Sequence, residues 1–168
     1  METSDINEKI KVLYLDDEEF NLHAFKATFR FKYQVFVTTK ALDALQLIEE
    51  EGIFIVISDQ RMPEITGVEF LKMVVGKFPN TKRIMLTGYS DHSDTVNAIN
   101  DGKICQYVTK PWNEEGLDAI IQASCKQYFE EEEIRAKADQ LEDVSKERDQ
   151  YKIESDQIEF MLRQKLLE

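Results

Sequence analysis

The chain is poor in the residues that staple or punctuate a small protein. It has two cysteines, Cys105 and Cys125, in no Cys-x-x-Cys spacing, and only two histidines, His23 and His92. That argues against both a disulfide framework and a zinc site. The cysteines read as small apolar residues near a core in a reducing cytosol, and the histidines as solvated surface groups. Positive charge is also scarce: 21 Lys and Arg stand against 33 Asp and Glu, a net charge of -12. Nucleic-acid binding runs on cations that neutralise phosphates, so the balance argues against it, and equally against an anionic membrane surface as partner. No apolar run approaches the roughly 20 residues that span a bilayer. The opening METSDINEKIK has no apolar stretch of signal-peptide type, so the expected location is the cytoplasm. Proline and glycine number only three and six, and neither occurs after Gly116.

Between residues 11 and 110 the sequence alternates short apolar runs with helix-length segments. The runs are KVLYL (11–15), QVFVT (34–38), FIVIS (54–58), RIMLT (83–87) and QYVTK (106–110). Apolar on both faces, they suit the strands of a parallel sheet covered on both sides. Helical spacing of apolar residues predicts helices over 18–31, 41–50, 66–76 and 93–101, with Thr66 placed to cap the third. Strand and helix in alternation predict a doubly wound α/β domain.

From about Asn113 the character changes. Leu117, Ile120, Ile121, Ser124, Cys125 and Tyr128 recur at three- and four-residue steps, as in a helix packed on its domain, with Trp112 as a packing anchor at its start. Residues 130–168 hold 13 acidic and 7 basic residues, half of the chain's excess charge. Good helix formers dominate there. Ile134, Leu141, Arg148, Ser155 and Leu162 lie seven apart, with Val144, Tyr151 and Ile158 three residues after the middle ones. This is a heptad pattern with a polar centre, and it predicts a parallel coiled-coil homodimer. A helix from 113 to 168 would reach about 80 Å. It runs to the end of the sequence without a Gly or Pro stop, which leads us to expect an output domain beyond Glu168.

The strand ends carry the chemistry. The first strand runs into Asp16 and Asp17, the third into Asp59, the fourth ends at Thr87, and the fifth is followed by Lys110 and Pro111. A doubly wound sheet gathers these carboxyl ends on one rim. Neighbouring carboxylates there call for a hard divalent cation, Mg²⁺ above all. An Asp carboxylate can attack a phosphoryl group, and a cation with a lysine ammonium can offset charge on its oxygens.

The motifs LYLDDE, ISDQRMPEITGVEFL, IMLTGYSD and YVTKPW, in this order and at these strand ends, resemble the receiver domain of two-component response regulators over roughly residues 9–128. The resemblance implies a flavodoxin-like, five-stranded (βα)5 fold. It implies that Asp59 accepts a phosphoryl group from a histidine kinase or phosphotransfer protein. It also implies an Mg²⁺ site formed by Asp17, by Asp16 acting through water, by Asp59 and by the backbone carbonyl of Arg61. Thr87 corresponds to the switch hydroxyl, Tyr107 to the aromatic switch, Lys110 to the phosphate-binding lysine, and Lys110-Pro111 to a cis peptide. Arg61 and Tyr89 depart from the common pattern, and we expect them to overhang the site and restrict the attacking water. On this reading the chain is a switch rather than a turnover enzyme, acting on a C-terminal coiled coil. Two alternatives remain: a phosphatase resembling the haloacid dehalogenase superfamily, whose nucleophile would need a DxD where this chain has Asp16-Asp17-Glu18, and a scaffold whose phosphorylation is vestigial.

Overall fold

A computed structural model describes residues 9–88 and 106–165. The expected helix at 93–101, and Tyr89, His92 and Cys105, lie outside the described residues. Five parallel strands, β1 (Lys11–Leu15), β2 (Gln34–Thr38), β3 (Ile55–Asp59), β4 (Lys82–Thr87) and β5 (Gln106–Thr109), pair in the order β2-β1-β3-β4-β5. The described helices are α1 (Glu19–Phe29), α2 (Ala41–Glu51), α3 (Gly67–Lys77) and α4 (Glu114–Lys165). This is the flavodoxin-like doubly wound arrangement that the strand and helix alternation predicts.

Two apolar clusters flank the sheet. Val12 and Tyr14, Ile55 and Ile57, and Ile84 and Leu86 face one side, where Leu22, Phe25 and Phe29 of α1 and Leu117, Ile121 and Cys125 of α4 cover them. Leu13, Leu15, Val56 and Met85 face the other, under α2 and α3. The period of two along each strand splits a continuous apolar run into two cores. Burial pushes the Cys125 thiol up to about 11, so it stays protonated at neutral pH.

Local chemistry sets the element ends. Thr66 caps α3 through a full capping box: its hydroxyl accepts from the Glu69 N–H at 3.2 Å, and the Glu69 carboxylate accepts from the Thr66 N–H at 2.9 Å. Asn113 Oδ1 accepts from the Gly116 N–H at 2.7 Å, which fixes the start of α4. Gly52 ends α2 in the left-handed region, φ 64°, as a residue without Cβ can.

The chain divides into two compact units, Met1–Tyr128 and Phe129–Glu168. The second is the distal part of α4. On it Ile134, Leu141, Val144, Tyr151, Ile158 and Leu162 are all exposed. Its internal ion pairs follow helical spacing: Glu133 with Lys137 at 2.5 Å, Glu142 with Lys146 at 2.8 Å and Glu159 with Arg163 at 2.6 Å. Such exposed pairs, screened by solvent, contribute little to stability. No described helix is long and apolar enough to cross a membrane.

Two glycines of α3 give opposite expectations. A Cβ on Gly67 would stand 2.2 Å from the Asp59 carbonyl oxygen and 2.8 Å from Met85 Sδ, whereas one on Gly76 meets nothing within 4 Å. Gly67→Ala should therefore destabilise the fold by roughly 1–3 kcal/mol through overpacking. Gly76→Ala should stabilise it by about 0.5–1 kcal/mol through helix propensity. Urea denaturation of both variants checks the pair; equal midpoints would show that α3 does not approach β3 this closely.

Candidate functional site

The carboxyl ends of β1, β3, β4 and β5 meet at one rim because the sheet is parallel and in register. Leu15 stands beside Ser58, Asp59 beside Leu86, and Thr87 beside Thr109. Backbone hydrogen bonds continue one residue past the strands: Asp16 N–H to the Thr38 carbonyl at 3.4 Å, Gln60 N–H to Leu86 at 3.0 Å and Lys110 N–H to Thr87 at 2.8 Å. Asp16, Gln60 and Lys110 are thus anchored by the ladder itself, not by mobile loops.

Lys110 spans the two innermost acids. Its ammonium lies 2.5 Å from Asp59 Oδ1 and 3.3 Å from Asp16 Oδ2. Both acids are buried, Asp16 at 1% and Asp59 at 7% exposure. The Lys110–Pro111 peptide is cis. Asp59 Oδ2 accepts the Arg61 N–H at 2.9 Å. Burial raises the Asp59 carboxyl above its ordinary value, aided by the charge of Asp16, even though Lys110 and the Arg61 amide pull it down. Burial works against the Lys110 ammonium, yet hydrogen bonding and charge from Asp59 and Asp16 hold it above the usual lysine value.

Asp16 is the most heavily bonded group at the site. Its Oδ1 accepts from the Glu18 N–H at 2.9 Å and from Asn21 Nδ2 at 3.2 Å. Its Oδ2 accepts from Asn21 Nδ2 at 3.1 Å, from Lys110 and from the Tyr14 hydroxyl. Asp16 therefore also braces the start of α1, while Glu18, the residue at the N-cap, makes no side-chain cap of its own. Asp17 is exposed. With Asp16, Glu18, Asn21, Asp59, Arg61, Gly88 and Lys110 it lines a cavity of about 250 Å³.

The other expected residues are spread around this cavity. Arg61 is exposed at its wall. Thr87 is buried at the end of β4, its hydroxyl donating to the Gly88 carbonyl at 3.2 Å. Tyr107 is 40% exposed on β5 and lines a separate groove with Pro111, Trp112 and Ile120.

Reading the sequence missed Tyr14, Asn21 and Gln60. Tyr14 lies two residues before Asp16, hence on the same face of β1, and its polar tip in an aliphatic strand was the available signal. Asn21 sits in the first turn of α1, where its amide donates back to Asp16. The buried Gln60 uses its carbonyls to hold the Gly67 N–H at 3.0 Å and the Val68 N–H at 3.2 Å, closing the loop after Asp59.

The family model for the response regulator receiver domain matches residues 12–122. The hydrogenase transcriptional regulatory protein HoxA of Cupriavidus necator is 37% identical over 113 residues, covering 67% of this chain and 23% of that protein. HoxA of Bradyrhizobium diazoefficiens is 34% identical over 117 residues, covering 70% and 24%. The chain thus spans about a quarter of the length of these curated relatives. Among solved structures, the signal receiver domain of an HD domain-containing protein from Pseudomonas fluorescens Pf-5 superposes with a TM-score of 0.72 at 27% identity, over 79% of this chain and 98% of that one. An uncharacterized protein from Neptuniibacter caesariensis gives 0.71 at 33% identity, over 76% and 96%. Motifs, strand order and rim geometry agree with these matches: the chain belongs to the response regulator receiver domain family.

Proposed function

We propose that this receiver takes a phosphoryl group on Asp59 from the phosphohistidine of a kinase or phosphotransfer protein in the cytoplasm, and passes the change to its C-terminal helix. The observation that carries the reading is the contact of Lys110 with both Asp59 and Asp16. A carboxylate oxygen of Asp59 forms the new P–O bond as the P–N bond to the donor histidine breaks, and the proton needed by the leaving imidazole comes from the donor side. Burial makes the Asp59 carboxylate more basic than an exposed one, and so a better nucleophile. The Lys110 ammonium offsets charge on the incoming phosphoryl oxygens. Thr87 supplies a hydroxyl donor from β4, and Tyr107 responds on β5. Arg61 limits the approach of hydrolytic water from the cavity wall.

The donor set fits Mg²⁺ in kind: Asp17, Asp59 and the Arg61 carbonyl offer hard oxygens, with Asp16 behind them. Among the described residues no three acidic, histidine or cysteine side chains already converge as a cage for an ion. The cavity that these residues line and the pairing of its acids by an ammonium support a place for a cation. When bound, Mg²⁺ supplies charge neutralisation to the phosphoryl oxygens. The distal helix, with its unburied heptad stripe, pairs with a second copy in a parallel homodimer.

With acetyl phosphate and Mg²⁺, the protein should gain the mass of one phosphoryl group, and Asp59→Asn should gain none; intact-mass spectrometry reads both. Incorporation by Asp59→Asn at the wild-type level would end the assignment. Sedimentation equilibrium should give about twice the 19.6 kDa chain mass; a monomer whose helix is otherwise intact refutes the pairing.

Lys110→Met should destabilise the fold at neutral pH by about 3 kcal/mol, the usual cost of leaving buried charge unpaired. The sign with pH follows from Asp59. Its folded pKa is raised, so the folded state binds that proton more tightly than the unfolded one. Stability from this group is present at low pH and lost as pH rises through the folded pKa. Without Lys110 that pKa rises further, so the variant loses more, over a wider range above the ordinary value of 3.8. Denaturation midpoints against pH should show a gap that is wide at pH 7 and closes on acidification; a gap that grows toward acid contradicts this account.

A further inference from the structure

Tyr14 has no place in the chemistry so far, yet its hydroxyl lies inside the acidic cluster. It is 1% exposed, and its ring is fixed against Phe25 at a centroid distance of 4.8 Å. From that packed position the hydroxyl donates to Asp16 Oδ2. The other donors to Asp16, namely the Glu18 N–H, Asn21 and Lys110, come from partly exposed or exposed residues at the rim. Water can stand in for those donors. The Tyr14 hydroxyl, by contrast, is presented by a ring packed in the core.

We infer that Tyr14 is a positioning residue that holds Asp16 Oδ2 from beneath and so limits how strongly the acidic cavity attracts a divalent cation. The inference rests on the reading of this cavity as the phosphorylation site. A hydrogen bond to a buried carboxylate satisfies a lone pair and spreads its negative charge onto the donor. Remove only the oxygen, as in Tyr14→Phe, and Oδ2 loses one of its three donors, keeping Asn21 and Lys110 and facing an apolar ring on the core side. The metal-free protein then carries the whole penalty. A divalent cation in the cavity repays part of it by drawing the same negative charge outward. Because binding is linked to stability, the variant gains more from the cation than the wild type does. The four rim contacts of Asp16 remain, so its orientation is kept and the gain is not offset by disorder. Tyr14 thus trades cation affinity for an intact metal-free site, which lets a signalling domain exchange its ion readily.

The test is calorimetric titration with Mg²⁺ of wild type, Tyr14→Phe and Tyr14→Leu, with thermal midpoints measured with and without the ion. The emission of Trp112, the only tryptophan, serves as the check of native packing. Tyr14→Phe should have a lower metal-free midpoint and bind Mg²⁺ roughly three- to tenfold tighter, a part of the fold-change that a lost hydrogen bond to a charged group implies. Tyr14→Leu should shift affinity in the same direction while losing more stability, because it also gives up the ring contact with Phe25. Equal affinities in all three proteins, with only the midpoints lowered, reduce Tyr14 to a packing residue and overturn the inference while leaving the metal reading intact. Weaker binding by Tyr14→Phe overturns it as well. A wild type that takes up no Mg²⁺ removes the metal reading itself, and the inference with it.

Discussion

Two buried carboxylates on neighbouring strands are the constraint around which the rest of this domain is arranged. Asp16 follows β1 and Asp59 ends β3, strands that pair directly, and both side chains are largely buried where they line the cavity. Each alone would cost several kcal/mol to bury ionised. Lys110 makes the arrangement tolerable by bridging both, and it reaches them from β5, two strands beyond β3. Its burial and partial exposure suit this: the ammonium is desolvated enough to bind tightly and open enough to meet a ligand. The bridge is a poor source of net stability, since desolvation consumes most of the Coulomb gain. On the proposed function its value lies in holding the Asp59 carboxylate in place with a cation beside it, where phosphoryl oxygens would arrive.

The sheet supplies the precision that this requires. Because hydrogen bonding continues one residue past β1, β3 and β5, the groups at the rim inherit the rigidity of the ladder. The two cores beneath fix the strands from both faces. The approach of α3 adds a further condition. Its first residue must be glycine, because the carbonyl of Asp59 occupies the space a Cβ would need. Packing of α3, position of Asp59 and shape of the cavity are therefore one problem, solved at Gly67.

What could be read in the sequence was whatever depends on local pattern. All five strands stood out because both faces are apolar, and the Thr66 cap because Thr-x-x-Glu is a local motif. Boundaries moved by a residue where tertiary pairing decided them. β3 extends through Asp59 because that residue still pairs beside Leu86, while β5 stops at Thr109, just before Lys110 and a proline that has no N–H to continue the ladder. The rim acids and Lys110 could be picked out because they terminate strands. Tyr14 left only its polar tip in an aliphatic strand as a signal, which does not say what group that tip meets. Only register and burial show that its hydroxyl meets Asp16 from the core side. Asn21 and Gln60 were hidden for the same reason: their partners are backbone groups and a carboxylate whose positions exist only once the chain has folded.

The distal helix obeys a different energetics. Within the receiver unit, apolar groups bury one another. Beyond Phe129 the large apolar residues of α4 stay exposed, and the helix is supported by ion pairs that sum to little over its length. Helices of this kind take most of their stability from a packed face. The polar residues Arg148 and Ser155 interrupt the stripe where a strong zipper would be apolar. In the proposed homodimer such an interruption weakens the pairing at its centre, and a coupling of about 1–3 kcal/mol is on the scale that shifts the population of such an equilibrium. That is the scale of one or two charge-assisted hydrogen bonds remade at the rim. On the proposed function, a receiver whose acidic cluster is held by a handful of such bonds, joined to a helix whose proposed pairing is interrupted at its centre, has the two sides of a switch matched in energy.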